Sequence, residues 1–267
     1  MIRLIASDVD GTLVPESASQ INPEYYDVIR ALHQKGITVV IASGRQYASI
    51  RRLFEPVADL LWFLADGGSV IVHGEDWIVP KAIPREWVAE FMHDLSRIPQ
   101  ADCMLAAPEY SYTPFENSEM FCWMRDSYRF DLRATGGWDK LPEEEIIKMA
   151  VYHPTNADGM CREWLVPKWK DRLYFANSGV CWVDFLMPGI NKGSALHTIC
   201  DKLGIPQEQT IGFGDNLNDI ELLEAAGTGI AVSSAREGLK EKADYIVPNF
   251  ETDGVLQAWK TILLSAE

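Results

Sequence analysis

Short apolar runs alternate with amphipathic stretches along this chain, and the alternation is regular at both ends. "IRLIAS" and "ITVVIAS" are too short for helices and show no polar alternation. Such runs predict strands covered on both faces, as in a parallel sheet. Between them a helix is expected from Asn22 as N-cap, with Pro23 in its first turn, to a stop at Gly36. "GRQYASIRRLF" reads as a helix and "LLWFLAD" as a third strand. Strand, helix, strand, helix, strand is the rhythm of parallel pairing through right-handed crossovers.

The rhythm returns near the C-terminus. "KGSALHTICDKLG" predicts a helix stopped by Gly204, followed by a strand at "TIGFGD" and a helix at "NDIELLEAAG". "GIAVSS" and "DYIVP" are strands around a short helix at "EGLKEKA", and "DGVLQAWKTILLS" is a final helix. The middle differs. "PREWVAEFMHDLSRI" sets Trp87, Phe91 and Leu95 on one face of an amphipathic helix. "DCMLAA", "MFCWM" and "IIKMAVYH" are strand candidates, and "ADGMCREWLVPKW" holds a short helix. "RLYFANS" and "CWVDFLMP" read as a closing pair of strands, while residues 110–140 resist assignment. The expected fold is α/β, a Rossmann-like doubly wound parallel sheet core with an inserted α+β domain. Residues 1–80 and 188–267 make the core, and 81–187 the insertion.

Composition narrows the function. The net charge of −15 repels nucleic acid and anionic membranes, which argues against broad binding of either. No stretch approaches the ~20 apolar residues that span a bilayer, and the chain opens directly into a strand pattern with no secretory pre-sequence. Five cysteines at irregular spacing, Cys103, Cys122, Cys161, Cys181 and Cys200, suggest free thiols in a reducing compartment. A cytoplasmic protein, monomeric or weakly dimeric, is the expectation.

Three polar clusters fall where strands end: Asp8 with Asp10, then Ser43-Gly44-Arg45, then Asp215 to Asp219. Ligands of open α/β sheets gather at that edge. Several carboxylates converging there call for a hard cation, and an oxygen-only set suits magnesium. It is the magnesium that is expected to make Asp8 and Asp10 tolerable as neighbours. Such a site suits phosphoryl transfer, with Asp8 attacking phosphorus and Asp10 moving the proton. Ser43, backbone amides of "DVDG" and Lys192 at a helix start supply donors for phosphoryl oxygens. A glycine-rich dinucleotide turn is missing after the first strand, which excludes a Rossmann dehydrogenase.

In order, "DVDGTLV", "ASGR", the lysine of "GINKGSAL" and "GDNLNDIELL" resemble the four motifs of the haloacid-dehalogenase-like phosphatases, specifically the Cof-type subfamily with an inserted α/β cap. The resemblance implies Asp8 as nucleophile and Asp10 as acid/base. It implies phosphate binding by Ser43, Gly44, Lys192 and Asn218. It implies Mg2+ on Asp8, the Asp10 backbone carbonyl and Asp215, with Asp219 and Asn191 supporting from behind. Residues 1–80 and 188–267 would be the catalytic core domain and 81–187 the cap domain. Small phosphorylated metabolites, sugar phosphates foremost, are the implied substrates. Pyridoxal phosphate or a flavin nucleotide stands behind them, as do a phosphomutase and a non-catalytic binding protein. Two departures are visible: Asp66 in "LADGGSVI", where many relatives carry Asn-Gly, and Ser233 and Ser234 in "IAVSSAREG", where relatives commonly have Gly-Asn-Ala.

Other residues keep open readings. Arg45 is either structural or a ligand contact, and Asn218 either a phosphate contact or only a helix cap. The five histidines show no metal-ligand spacing. The tryptophans of the insertion read as packing residues or as walls of a pocket. Arg125, Arg129 and Arg133 read as a solvated face or as anion recognition.

Overall fold

In the computed structural model, which describes residues 1–265, Leu4–Ser7 form a strand (β1) buried at every position. Met1–Arg45, Ile50–Ile78 and the chain from Asn191 make one compact unit; Gln46–Ser49 with Val79–Ile190 make the other. In the first unit, helix α1 (Glu24–Gln34) follows β1. Its start is set by Asn22, whose Oδ1 accepts the Glu24 N–H at 3.1 Å, and Gly36 turns the chain away at φ 74°. β2 (Thr38–Ala42), α2 (Tyr47–Leu53) and β3 (Leu61–Ala65) come next, with β1, β2 and β3 parallel. The sheet then continues through an antiparallel hairpin, β4 (Val70–His73) and β5 (Asp76–Ile78). That hairpin is absent from the sequence reading, because strands of four and three residues leave little periodicity to detect.

The second unit carries its own sheet beneath α3 (Arg85–Leu95). Its strands are β6 (Asp102–Ala106), β7 (Ser111–Thr113), β8 (Leu132–Ala134), β9 (Lys148–Tyr152), β10 (Tyr174–Asn177) and β11 (Trp182–Leu186), in the order β10-β11-β9-β6-β7-β8. One face packs Met149 and Val151 with Phe91 and Leu95 of α3, and with Trp169 of α6 (Val166–Trp169), which follows α5 (Ala157–Trp164). On the other, Met104, Ala150 and Tyr152 meet Met120 and Met124. These methionines overturn one expectation: "MFCWM" is not a strand but lies in helix α4 (Glu119–Asp126). Ser118 caps it by accepting the Phe121 N–H at 3.1 Å, and Met120, Phe121 and Met124 recur at helical spacing on the buried side. A five-residue apolar run does not separate the two periods.

α7 (Lys192–Leu203) returns the chain to the first unit and ends at Gly204, in the left-handed region at φ 61°. β12 (Thr210–Gly214), α8 (Ile220–Ala225), β13 (Thr228–Val232), α9 (Glu237–Lys240), β14 (Tyr245–Val247) and α10 (Gly254–Ser265) complete it. The sheet order is β14-β13-β12-β1-β2-β3-β4-β5, an α/β fold with a mostly parallel core. Helices cover both faces. Ala195, Leu196, Ile199 and Leu222 pack on Leu4, Ala6, Val40 and Leu64. On the other side the Trp259 ring of α10 meets Tyr25 of α1 edge-on at 5.4 Å and Phe213 of β12 at 6.5 Å. From β1 the chain first moves one way, to β2 and β3, and later the other, to β12 and β13. The end of β1 is therefore a topological switch point, where such sheets bind ligands. Among the described residues, no helix is long and apolar enough to cross a membrane.

Candidate active site

Asp8 is the first residue past β1, and its N–H donates to the Phe213 carbonyl of β12 at 3.0 Å. Two neighbouring strand ends thus hold the backbone beneath its carboxylate. Asp8 Oδ1 accepts from Lys192 Nζ at 2.7 Å, and Lys192 also reaches Asp219 Oδ1 at 2.5 Å. All three side chains are buried, Lys192 to 1% exposure. Lys192 opens α7, where Asn191 accepts the Ser194 N–H at 2.8 Å and Ser194 Oγ accepts from the Asn191 N–H at 3.1 Å. This capping box sets the start of the helix and with it the root of the lysine. Gly193 lets α7 approach α8, since a Cβ there would stand 2.2 Å from the Glu221 carbonyl oxygen.

Asp215 is the first residue past β12, and Thr12 Oγ1 donates to its Oδ1 at 3.3 Å. The adjoining turn is organised by Asp219. Its Oδ2 accepts the N–H groups of Asp215 and Asn216, each at 3.1 Å, while its Oδ1 takes Lys192. The capping side chain of this turn is Asn216, not Asn218, which lies half-buried in the short helix Leu217–Asp219. Gly11, at φ 82°, passes so close that a Cβ would fall 2.3 Å from Asp215 Oδ2.

One carboxylate oxygen from each of Asp8, Asp215 and Asp219 lies within 4.8 Å of the others. A single ammonium, that of Lys192, faces this cluster in the contacts above. The electrostatic cost is visible in the acids. Burial, then Asp219, pushes the Asp8 carboxyl up to about 7 against the pull of Lys192. Burial, then Asp8 and Asp219, raises Asp215 to about 9. Asp8 Oδ2 is buried and makes no hydrogen bond among the described residues. An orphaned carboxylate oxygen, an excess of negative charge and an all-oxygen donor set fit a hard divalent cation.

Asp10 stands apart from this cluster. Arg45 grips its carboxylate, Nε to Oδ2 at 2.7 Å and Nη2 to Oδ1 at 2.5 Å, and the Ser17 N–H adds a bond at 3.2 Å. Within the chain itself, Lys192 is the cationic partner of Asp8 and Arg45 that of Asp10. Arg45 is a buried structural partner, its Nη1 also donating to the Ala18 carbonyl at 3.0 Å. Ser43 follows β2, its own N–H donating to Leu64 O at 2.8 Å, and its Oγ accepts the Arg45 N–H at 3.0 Å across half-buried Gly44. The fully buried Asp66, at φ 50°, donates its N–H to the Arg45 carbonyl at 2.9 Å. Ser233 and Ser234 are exposed after β13. Thr12, Asn216 and Arg45 are the contributors that sequence reasoning missed or left open. Each lies one or two residues from a residue it did name.

A family model described as haloacid dehalogenase-like hydrolase matches residues 5–259. The chain is 24% identical to an Escherichia coli 5-amino-6-(5-phospho-D-ribitylamino)uracil phosphatase, covering 98% of this chain and 96% of that enzyme. A solved protein from Eubacterium rectale is 34% identical, with a TM-score of 0.87 over 98% of this chain and 99% of the other. A solved sugar phosphatase of subclass IIB of the same superfamily is 25% identical, with a TM-score of 0.85 over 97% and 98%.

Proposed function

The chain belongs to the haloacid dehalogenase-like hydrolases, and we propose that it is a magnesium-dependent phosphatase of small phosphorylated metabolites, sugar phosphates foremost, acting in the cytoplasm. One observation carries the reading: Asp8 has one oxygen fixed by Lys192 and the other buried without a hydrogen bond, beside Asp215. A desolvated, oriented carboxylate of this kind is equipped to attack an electrophile. The substrate class draws support from similar proteins, one named for a phosphorylated ribitylaminouracil and one for sugar phosphates. Five cysteines free of disulfides suit a reducing compartment.

In this reading a carboxylate oxygen of Asp8 bonds to phosphorus as the bond from phosphorus to the leaving oxygen breaks. Asp10 gives that oxygen its proton. Asp10 then takes a proton from water, whose oxygen attacks the phosphorus on Asp8. Inorganic phosphate leaves and the Asp8 carboxylate is restored. Lys192, Ser43, the Gly44 backbone and Asn218 hold the phosphoryl oxygens. Arg45 orients Asp10, Asp219 fixes Lys192, and Asn191 fixes the helix start. A magnesium ion bound by Asp8, Asp215 and the Asp10 carbonyl supplies charge that offsets the phosphoryl oxygens. The inserted segment, 81–187, acts as the cap domain that selects the leaving group.

Phosphate release from a panel of phosphosugars, pyridoxal phosphate and flavin mononucleotide, with magnesium and with chelator, tests the reading. Release that depends on magnesium and vanishes in Asp8→Asn is the expected result. Activity retained by Asp8→Asn, or an isomeric phosphosugar in place of inorganic phosphate, overturns it.

A further inference from the structure

Gln46 is fully buried, and a buried primary amide has both its N–H groups and its carbonyl to satisfy. Its Oε1 accepts the Asp131 N–H at 2.8 Å. Its Nε2 lies 3.2 Å from the Glu109 carbonyl and 3.4 Å from both the Asp131 carbonyl and Ser111 Oγ. These partners stand where β7 and β8 begin side by side. There the Ser111 N–H donates to the Asp131 carbonyl at 3.1 Å, and the strands run on in parallel with Ser111 beside Leu132. Toward Asp131 the side chain offers the N–H and C=O that a further strand would offer. Close by in sequence, the buried Ser49 hydroxyl donates to the Tyr128 carbonyl at 2.6 Å. Gln46–Ser49 packs with the second unit, so all these bonds lie inside it.

The residue before Gln46 is Arg45, whose guanidinium holds Asp10. Ahead of Arg45, the stretch from Ser43 is fastened at the end of β3. The Ser43 N–H donates to the Leu64 carbonyl at 2.8 Å, and the Ser43 carbonyl accepts the Gly67 N–H at 3.0 Å. The Arg45 carbonyl accepts the Asp66 N–H at 2.9 Å. Behind Arg45, the Gln46 carbonyl accepts the Ser49 N–H at 3.0 Å and opens α2. Arg45 thus closes a short loop fixed at both ends, and the rear fixture is Gln46. One planar peptide bond joins the two residues, so a displacement of Gln46 reaches Arg45 through the chain itself. A guanidinium at the end of a long side chain is placed only as well as the backbone beneath it, and small misplacements at a reacting group are costly.

We propose that Gln46 is a positioning residue for the proton transfer at Asp10: its buried amide fixes the chain one residue past Arg45 and so fixes the guanidinium fork on the carboxylate. Ser49 holds the same segment from its other end. The inference rests on the phosphatase reading, in which the Asp10 carboxyl passes its proton to the leaving oxygen as the bond from phosphorus to that oxygen breaks. It places the effect of Gln46 on that transfer, not on the grip of the phosphoryl group. A misplaced proton donor slows the departure of a basic alkoxide far more than that of an acidic phenolate.

Two substrates assayed with magnesium separate the roles. One is p-nitrophenyl phosphate; the other is whichever phosphosugar, pyridoxal phosphate or flavin mononucleotide the wild type hydrolyses fastest, all of them alkyl phosphates. The quantity read is kcat/KM, which covers only the steps through departure of the leaving group. Gln46→Ala should lower it about tenfold for the alkyl phosphate and less than about twofold for p-nitrophenyl phosphate. Ser49→Ala removes one hydrogen bond, is the milder change for the fold, and should show the same contrast at about threefold. In an Arg45→Lys background, Gln46→Ala should cost less than about twofold more on the alkyl phosphate, because the fork it positions is already gone. Equal losses on the two substrates, or losses from Gln46→Ala and Arg45→Lys that multiply in full, overturn the inference and leave the phosphatase reading standing. So does a Gln46→Ala protein with wild-type kcat/KM on the alkyl phosphate. No magnesium-dependent release from any of these alkyl phosphates by the wild type overturns the phosphatase reading, and the inference with it.

Discussion

Arg45 and Asp10 are 35 residues apart and joined by two charge-assisted hydrogen bonds, at 2.7 and 2.5 Å, that hold the carboxylate plane in one orientation. The arginine is only 4% exposed. A lysine at this position keeps the charge and loses the fork. Arg45→Lys is therefore expected to lower kcat about tenfold, or ~1.4 kcal/mol, with KM nearly unchanged. Steady-state kinetics on any phosphorylated metabolite that the wild type turns over checks this. An unaltered kcat would show that the orientation of Asp10 is set elsewhere.

Lys192 is the cation shared by Asp8 and Asp219. Its removal leaves two buried carboxylates facing each other, and breaking a buried pair on one side costs about 3–5 kcal/mol. Lys192→Met should lower the urea midpoint at neutral pH accordingly. The loss should shrink in acid, because protonated carboxyls no longer need the ammonium. A midpoint within experimental error of wild type would contradict this account of the buried cluster.

Gly11 is required twice, by its φ of 82° and by the 2.3 Å that a Cβ would leave to Asp215 Oδ2. Gly11→Ala should cost about 1–3 kcal/mol in stability and displace Asp215. The thermal stabilisation expected from added magnesium, about 2.7 kcal/mol at a hundredfold excess over its dissociation constant, should then be lost. Retention of the full magnesium response in Gly11→Ala would count against the role given to Asp215.

In the second unit Glu90 accepts from Arg172 at 2.8 and 3.2 Å and lies 2.9 Å from Lys168, and these hydrogen bonds hold its carboxyl down at about 2. The sign follows from linkage: a depressed carboxyl stabilises the fold above its unfolded value near 4.5, and that contribution disappears as pH falls toward 2. Unfolding followed by tryptophan fluorescence should show a stability decline across this window that Glu90→Gln flattens. High salt should weaken the effect, since the pairs are partly open to solvent. Parallel pH profiles for the two proteins would refute it.

The first unit was largely legible from sequence because its strands are continuous apolar runs and its helices carry stop signals such as Gly36 and Gly204. Asp8 and Asp215 were legible because strand ends gather polar groups in such sheets, and Lys192 because a helix start suits phosphate. The hairpin at Val70–Ile78 and the helix holding "MFCWM" were not legible. Each is too short for its period to outweigh the alternative. Arg45 was ambiguous for another reason. A guanidinium's role depends on which carboxylate the fold brings to it, and nothing near Arg45 in sequence names Asp10. Gln46 lay wholly outside the reading, since a glutamine that bonds to distant backbone groups leaves no local pattern.

The place of β1 in the sheet has a consequence for biosynthesis. One of its neighbours, β2, is made soon after it, but the other, β12, is Thr210–Gly214. The hydrogen bond that sets Asp8, to Phe213 O, therefore waits until that strand has left the ribosome. Until then a strand buried at every position in the finished fold has one open edge. The nucleophile candidate is thus translated well before the strand that fixes it in place.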